Sequence, residues 1–175
     1  MSQPDGQVIQ IASVVNDLDQ ALEHWTQTLG VGPFFVLDNL EVIDPVYRGK
    51  PSRFDATIAL GYSGSVCIEL IKQNDDAPSV FKEFLESNPN GGFHHWAVGV
   101  EDLESEVARY QARGHDVAFS GRVAVGDAFA YMDTSRELGG MIELIKLTPV
   151  VRELFTGLEM AAVGWDGSDP VRRPE

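Results

Sequence analysis

Five residues occur twice in this chain: Ile68-Glu69-Leu70-Ile71-Lys72 and Ile142-Glu143-Leu144-Ile145-Lys146 both read IELIK. Each is a short aliphatic run with β-branched members, which predicts a strand. Side chains alternate faces along a strand, so Glu69 shares a face with Cys67 and Ile71, and Glu143 shares one with Met141 and Ile145. Lys72 and Lys146 fall on the opposite face and do not partner their own glutamates. A carboxylate among apolar neighbours is costly unless it finds a cation, a metal or hydrogen-bond donors. One such glutamate reads as solvated sheet. Two in identical settings read as a duplication, whose symmetric partners can be sought.

Those partners lie upstream of each copy. Gln10-Ile11-Ala12-Ser13-Val14-Val15-Asn16-Asp17-Leu18 aligns with His95-Trp96-Ala97-Val98-Gly99-Val100-Glu101-Asp102-Leu103 at a constant offset (95 − 10 = 85 and 102 − 17 = 85). The glutamates are offset by 74 (143 − 69), so the first half holds 11 more residues (85 − 74) between its first and last strands.

Each half reads as strand, helix, then three strands. Val8 to Val15 is strand-like, with Gln10, Ala12 and Val14 on one face and Ile9, Ile11, Ser13 and Val15 on the other. Asp17 caps a helix, Gln20 completes a capping-box pattern, and Leu18, Ala21, Leu22, Trp25 and Leu29 form its apolar stripe. Residues 38–52 hold Asp38, Asn39, Asp44-Pro45, Gly49 and Pro51 and are expected to form a long loop that shapes a pocket. Arg53 to Tyr62 and Val66 to Lys72 follow as strands. A linker with a short helix around Val80, Phe81, Phe84 and Leu85 leads to His94 to Val100, an Asp102-capped helix, and strands at Val117 to Phe119, Phe129 to Asp133 and Met141 to Leu147. Thr148-Pro149 starts a C-terminal helix, with Val151, Leu154, Phe155, Leu158 and Ala162 as its stripe. Trp165, in a turn-rich tail, is expected to pack on the body.

The expected fold is therefore α+β: two tandem βαβββ modules whose curved mixed sheets enclose one cleft, plus a C-terminal helix. Residues 1–175 make a single domain, with module one at 7–73, a linker at 74–92, module two at 93–147, and the helix and tail at 148–175.

The composition narrows the class of partner. A formal net charge of −14 argues against nucleic acid or an anionic membrane surface, and no apolar run is long enough to span a bilayer. One cysteine, Cys67, excludes an internal disulfide framework and a cysteine-based zinc site. With no basic-then-apolar leader in Met1 to Gly6, a cytoplasmic protein is expected. Arg48, Lys50 and Arg53 are the densest basic cluster, a solvated loop or the place where an anionic substrate is met.

Gln10, Glu69, His95 and Glu143 occupy the symmetric positions. His95 shares its face with the small residues Ala97 and Gly99, which leave room for something other than side chains. His94 lies on the other face with Trp96, Val98 and Val100, and is expected to pack against a helix as a core or supporting histidine. His24 and His115 read as surface residues. Two carboxylates, an imidazole and an amide oxygen make a donor set for one divalent ion: Mn, Co, Ni, Zn, Mg or Fe. Two glutamates balance its charge, and four protein ligands leave two octahedral positions open.

In these residues the chain resembles the vicinal oxygen chelate superfamily, the paired βαβββ modules of glyoxalase I, methylmalonyl-CoA epimerase, extradiol dioxygenases and bleomycin-resistance proteins. The G-x-H-H-x-x-x-x-V pattern from Gly92 to Val100, and Phe129-Ala130-Tyr131-Met132-Asp133-Thr134 leading to Gly139-Gly140-Met141-Ile142-Glu143-Leu144, most resemble the epimerase branch, with the glyoxalase I branch next. The resemblance covers residues 7–147. It implies metal positions at Gln10, Glu69, His95 and Glu143. Glutamine at the first position, where many members have histidine, is shared with some glyoxalase I proteins and disfavours dioxygenase chemistry on iron. It also implies a homodimer.

The resemblance and the donor set together lead to an expected metal-dependent isomerase, epimerase or glyoxalase-type lyase. The metal stabilises charge on a carbonyl or thioester, and a carboxylate moves an α-proton, with Glu143 the leading base and Glu69 the second. A small-molecule substrate is expected, an acyl-CoA or thiol conjugate among the candidates. The alternative is a non-catalytic module that sequesters a small molecule in the same cleft, as bleomycin-resistance proteins do.

Overall fold

The computed structural model describes residues 6–123 and 128–173; Met1 to Asp5, on which the reading of no leader mainly rests, lie outside them. The chain runs β1 (Val8–Val14), α1 (Leu18–Glu23), β2 (Phe34–Leu37), β3 (Val42–Tyr47), β4 (Lys50–Pro51), β5 (Ala56–Ser63), β6 (Val66–Gln73) and α2 (Val80–Ser87). It continues through β7 (Gly92–Val100), α3 (Leu103–Gln111), β8 (Val117–Val123), β9 (Ala128–Met132), α4 (Ser135–Leu138), β10 (Met141–Lys146), α5 (Pro149–Ala162) and β11 (Val171–Arg172).

All the described strands join one sheet, in the order β11-β2-β5-β6-β1-β7-β10-β9-β8-β3-β4. β1 and β7 meet antiparallel at its centre. Outward from each, the order repeats: a parallel neighbour carrying the IELIK glutamate (β6 or β10), then two antiparallel strands (β5 and β2, or β9 and β8). The duplication read from the sequence is the pseudo-symmetry of this sheet.

The two faces separate by alternation. On the outer face, α1 sets Leu18 and Leu22 against Phe34, Val36, Ala59 and Leu70, and α3 sets Leu103 and Val107 against Ala130, Met132 and Leu144. The inner face carries Ile58, Leu60, Cys67, Ile71, Phe119, Phe129, Tyr131 and Met141 in one cluster, closed by Phe81 of α2 and by Val151, Phe155 and Leu158 of α5. Both helix starts are capped as expected: Asp17 Oδ1 accepts from Gln20 N at 2.9 Å, and Asp102 Oδ1 from Ser105 N at 3.0 Å. Thr148 Oγ1 likewise accepts from Val151 N at 3.3 Å to start α5. Trp165 does pack on the body, so closely that a Cβ on Gly32 would lie 2.8 Å from its ring.

Three local expectations are corrected. The 38–52 segment is not an unstructured loop, because β3 adds to the far edge of the second half, pairing Val42 with Val123 and Tyr47 with Phe119. Asp44 and Pro45 sit where the register slips, a position at which a strand tolerates proline. Arg48 and Gly49, both with positive φ, then turn the chain into β4. The following strand begins at Ala56 rather than Arg53. Leu29 is 61% exposed rather than buried, because α1 continues as a π-helical turn over His24–Thr28. That turn takes an extra residue and rotates Leu29 off the core, while Trp25 within it still packs on Phe34.

Candidate metal centre

β1 and β7 each carry a bulge where they cross. Val8 pairs with Val98 but Gln10 with Ala97, so Ile9 is the extra residue on β1; Ala12 pairs with His95 but Ser13 with Phe93, so His94 is the extra residue on β7. The two extra residues stand 85 apart (94 − 9), so the bulge belongs to the duplicated plan. A bulge interrupts alternation and re-aims the side chain beside it. Ile9 therefore joins the inner-face cluster. His94 lies among Phe81, Phe84 and Tyr131, with its ring 5.2 Å from that of His95. The expectation that alternation would put His94 on the opposite face is corrected; its packing against a helix and its supporting place beside His95 are found.

Glu69, His95 and Glu143 converge at the centre of the inner face. Their exposures are 7%, 0% and 7%. Their nearest ligand atoms all lie within 4.8 Å of one another. His95 Nε2 stands 3.2 Å from Glu143 Oε2 and 3.4 Å from Glu69 Oε2. Neither contact is aligned as a hydrogen bond, which leaves Nε2 a buried nitrogen without a hydrogen-bond partner. Gln10, 3% exposed, donates from Nε2 to Glu69 Oε2 at 2.8 Å. All four expected residues are thus brought together. Gly99 supplies no free room, however, because a Cβ there would meet Leu147 Cδ1 at 2.5 Å.

The titration states follow from burial and charge. Burial opposes a charge on His95, but the carboxylates of Glu143 and Glu69 outweigh it and raise its pKa to about 9. Burial raises the pKa of Glu69, against the pull of His95. Burial and the neighbouring His95 depress His94 to about 3, so His94 is neutral. Its Nε2 faces Val80 O at 3.4 Å and its Nδ1 faces His95 Nδ1 at 2.9 Å. Val80 O can only accept, so His94 carries its proton on Nε2 and accepts from His95 Nδ1–H. His95 is then fixed as the tautomer whose Nε2 points toward the two glutamates.

A nitrogen lone pair facing two carboxylates in a dry pocket is unfavourable unless a proton or a metal ion stands between them. The residues present fit a divalent cation: two anionic oxygens, one oriented imidazole, and an amide that can add an oxygen.

Tyr131 completes the group and is not among the residues singled out from the sequence. It pairs across the ladder with Glu143, its ring lies 4.8 Å from that of His95, and burial followed by the Glu143 charge raises its hydroxyl pKa well above the ordinary value. Its signal is alternation: Phe129 and Tyr131 share the inner face of β9. The basic cluster, by contrast, is not part of the site. Arg48 forks onto Glu83 at 2.6 and 3.0 Å and meets Asp133 at 2.8 Å, and neither it, Lys50 nor Arg53 lines the cleft.

Residues 9–131 match the family model described as Glyoxalase/Bleomycin resistance protein/Dioxygenase superfamily. Solved structures of similar fold include methylmalonyl-CoA epimerase from Mycobacterium tuberculosis, at 20% identity and a TM-score of 0.59 over 86% of this chain and 95% of that one. A hypothetical protein, BH1468 from Bacillus halodurans C-125, is similar at 18% identity and a TM-score of 0.60 over 83% and 96%. A methylmalonyl-CoA epimerase in complex with methylmalonyl-CoA and NH4+ is similar at 19% identity and a TM-score of 0.56 over 81% and 94%. No curated protein matches the chain by sequence.

Proposed function

This chain belongs to the Glyoxalase/Bleomycin resistance protein/Dioxygenase superfamily, the vicinal oxygen chelate proteins, and from that premise we propose a divalent-metal-dependent enzyme that moves an α-proton beside a carbonyl or thioester. The observation that carries it is the buried Glu69–His95–Glu143 group with the unpartnered His95 Nε2. Glu69, His95 and Glu143 would hold the ion, and Gln10 would add its amide oxygen. The bound ion supplies a Lewis acid that makes the α-proton of a neighbouring carbonyl more acidic.

The rest is work for side chains. His94 holds the His95 tautomer. Glu143, beside Tyr131, is the leading group to accept the substrate proton, and Glu69, with Gln10 bonded to it, is the second. Return of the proton to the opposite face gives epimerisation, the reading that the epimerase-like motifs favour. Return to the adjacent carbon gives an isomerase or glyoxalase-type reaction. The apolar inner face excludes water that would compete for that proton.

One observation favours a second reading. The cleft is so apolar that the same chain could sequester a small molecule without turning it over. Elemental mass spectrometry on tag-free protein, then α-proton exchange in deuterium oxide, separates the two. The enzyme reading expects about one equivalent of divalent metal, lost in His95→Ala, and exchange lost in Glu143→Gln. A wild-type protein that neither carries nor takes up Mn, Co, Ni or Zn would leave only the sequestering module.

A further inference from the structure

The inner face of the sheet encloses a cavity of about 450 Å³, within the range of pockets that bury drug-sized ligands. Gln10, Glu69 and Glu143 stand together in its wall. The remainder is walled by aliphatic side chains and by the rings of Phe54, Phe81, Phe119, Phe129, Tyr131 and Phe155. These rings already meet one another, Phe54 edge-on to Phe119 at 5.4 Å and Phe119 tilted against Phe129 at 5.4 Å, so ring faces and edges line the wall.

The charged side chains that line the opening are acidic. Asp38 and Glu41 line the cavity and are exposed, and among the described residues no Lys or Arg lines it. Arg173 is drawn to Asp38 at 3.0 Å, and Arg48 is held away on Glu83 and Asp133. A polyanion such as the nucleotide portion of coenzyme A, or the carboxylates of a thiol tripeptide, would meet no cation in the lining, and the guanidinium nearest to Asp38 is already held by that carboxylate.

We propose that the ligand of this cleft is an uncharged, largely apolar, ring-bearing carbonyl compound. Its carbonyl end faces Glu69 and Glu143, and its rings lie against the aromatic wall. The proposal rests on the reading of the glutamate end as the reacting end, and it narrows the substrate away from acyl-CoA. Aromatic rings prefer edge-on or offset contact with one another, which this wall offers at little cost in side-chain entropy.

The test uses full-length protein and three probes. 1-Aminoanthracene, neutral at pH 7.5 and fluorescent in apolar surroundings, is titrated into wild type. Benzil, an uncharged aromatic diketone, and methylmalonyl-CoA then compete against it. The expected result is one saturable site for the dye, displacement by benzil, and no displacement by methylmalonyl-CoA. Leu154 of α5 lines the cavity yet is 44% exposed, so Leu154→Glu can fold and places a charge in the wall. It should weaken the dye by about tenfold or more. His95→Ala, which removes an expected metal ligand, should keep the dye.

Displacement of the dye by methylmalonyl-CoA, or wild-type protein that fails to bind the dye, overturns the proposal. Metal content measured on the same samples keeps the two readings apart. Metal without dye binding sinks the apolar ligand and leaves the catalytic centre. Dye binding without metal supports the ligand class and sinks the chemistry.

Discussion

At the bulge of β1 stand Ile9 and Gln10; at the equivalent bulge of β7 stand His94 and His95. The strand beside each bears its glutamate, and across the ladder Glu69 faces Leu60 whereas Glu143 faces Tyr131. The backbone plan is thus kept twice while the side chains diverge. The first half brings an apolar residue, an amide and a carboxylate. The second brings two imidazoles, a phenol and a carboxylate. A duplicated scaffold places donors symmetrically, and the asymmetry of what it places decides which half handles protons. Paired substitutions at matching positions should therefore have unequal effects wherever chemistry is concerned, and equal effects wherever only the scaffold is concerned.

The largest inequality is expected at the two glutamates. Glu143→Gln should lower α-proton exchange by about 10²–10⁴-fold, the usual weight of a positioned proton acceptor. Glu69→Gln, without the phenol beside it, should lower exchange less, with part of its loss recovered at high metal concentration. Equal losses that excess metal does not relieve would show the two halves sharing proton transfer, and would break the comparison at its centre.

Next come the bulge residues. His94→Phe keeps a ring of similar shape among Phe81, Phe84 and Tyr131 but removes the acceptor for His95 Nδ1–H. Metal affinity should fall about 10–100-fold, as when a group supporting a metal ligand is removed, with the fold intact by circular dichroism. Ile9→Val, its mate, should leave metal affinity unchanged. A His94→Phe protein with wild-type affinity would reduce His94 to packing.

A smaller and graded effect is expected from pH. In metal-free protein the His95 pKa is raised to about 9, so a proton must leave before a metal can take its place. Metal affinity should therefore climb by about tenfold per pH unit up to pH 9 and flatten above it. The sign reverses for folding stability without metal. A folded-state pKa above the unfolded value stabilises the fold fully below about pH 6.5, and that contribution is lost as pH rises through about 9. Denaturant titrations of chelator-treated protein at pH 6.5 and 9.5 read it directly. Stability that does not fall between them would place the proton elsewhere. Gln10, the mate of His95, has no proton to lose in this range, so Gln10→Ala should shift affinity without changing its pH slope.

The sequence disclosed those parts of the molecule that depend on spacing alone. The repeat of IELIK, the offset of 85 and the two aspartate caps are local or periodic signals, and they located the duplicated plan, the helix starts and all four converging residues. The hidden parts depend on single-residue departures from period. The bulge at His94 leaves the alternating pattern looking regular while setting that side chain on the inner side, against Phe81, Phe84 and Tyr131. The π turn at His24–Thr28 does the same to Leu29. β3 was hidden by Asp44-Pro45, whose turn chemistry masks a strand that needs the second half's β8 to exist. Alternation puts Tyr131 on the inner face, but its place opposite Glu143 depends on cross-strand register, which no single strand encodes. The acidity of the cleft's opening required the knowledge that Arg48 is already engaged by Glu83 and Asp133.

The smallest effects test the scaffold itself. Asp17 and Asp102 cap α1 and α3 with nearly the same geometry, 2.9 and 3.0 Å to the backbone nitrogen three residues on. Asp17→Ala and Asp102→Ala should each cost about 1 kcal/mol in denaturant titrations, the usual value for a lost aspartate cap. Neither should change metal affinity, because each helix lies on the outer face, behind the sheet that carries the ligands. The equality is the informative part. α1 runs into a π turn and α3 does not, so a markedly smaller cost at Asp17 would mean that the first helix draws its stability from Leu18 and Leu22 against the sheet rather than from its own first turn. The duplicated halves would then differ in how they hold their helices as well as in what they bring to the cleft.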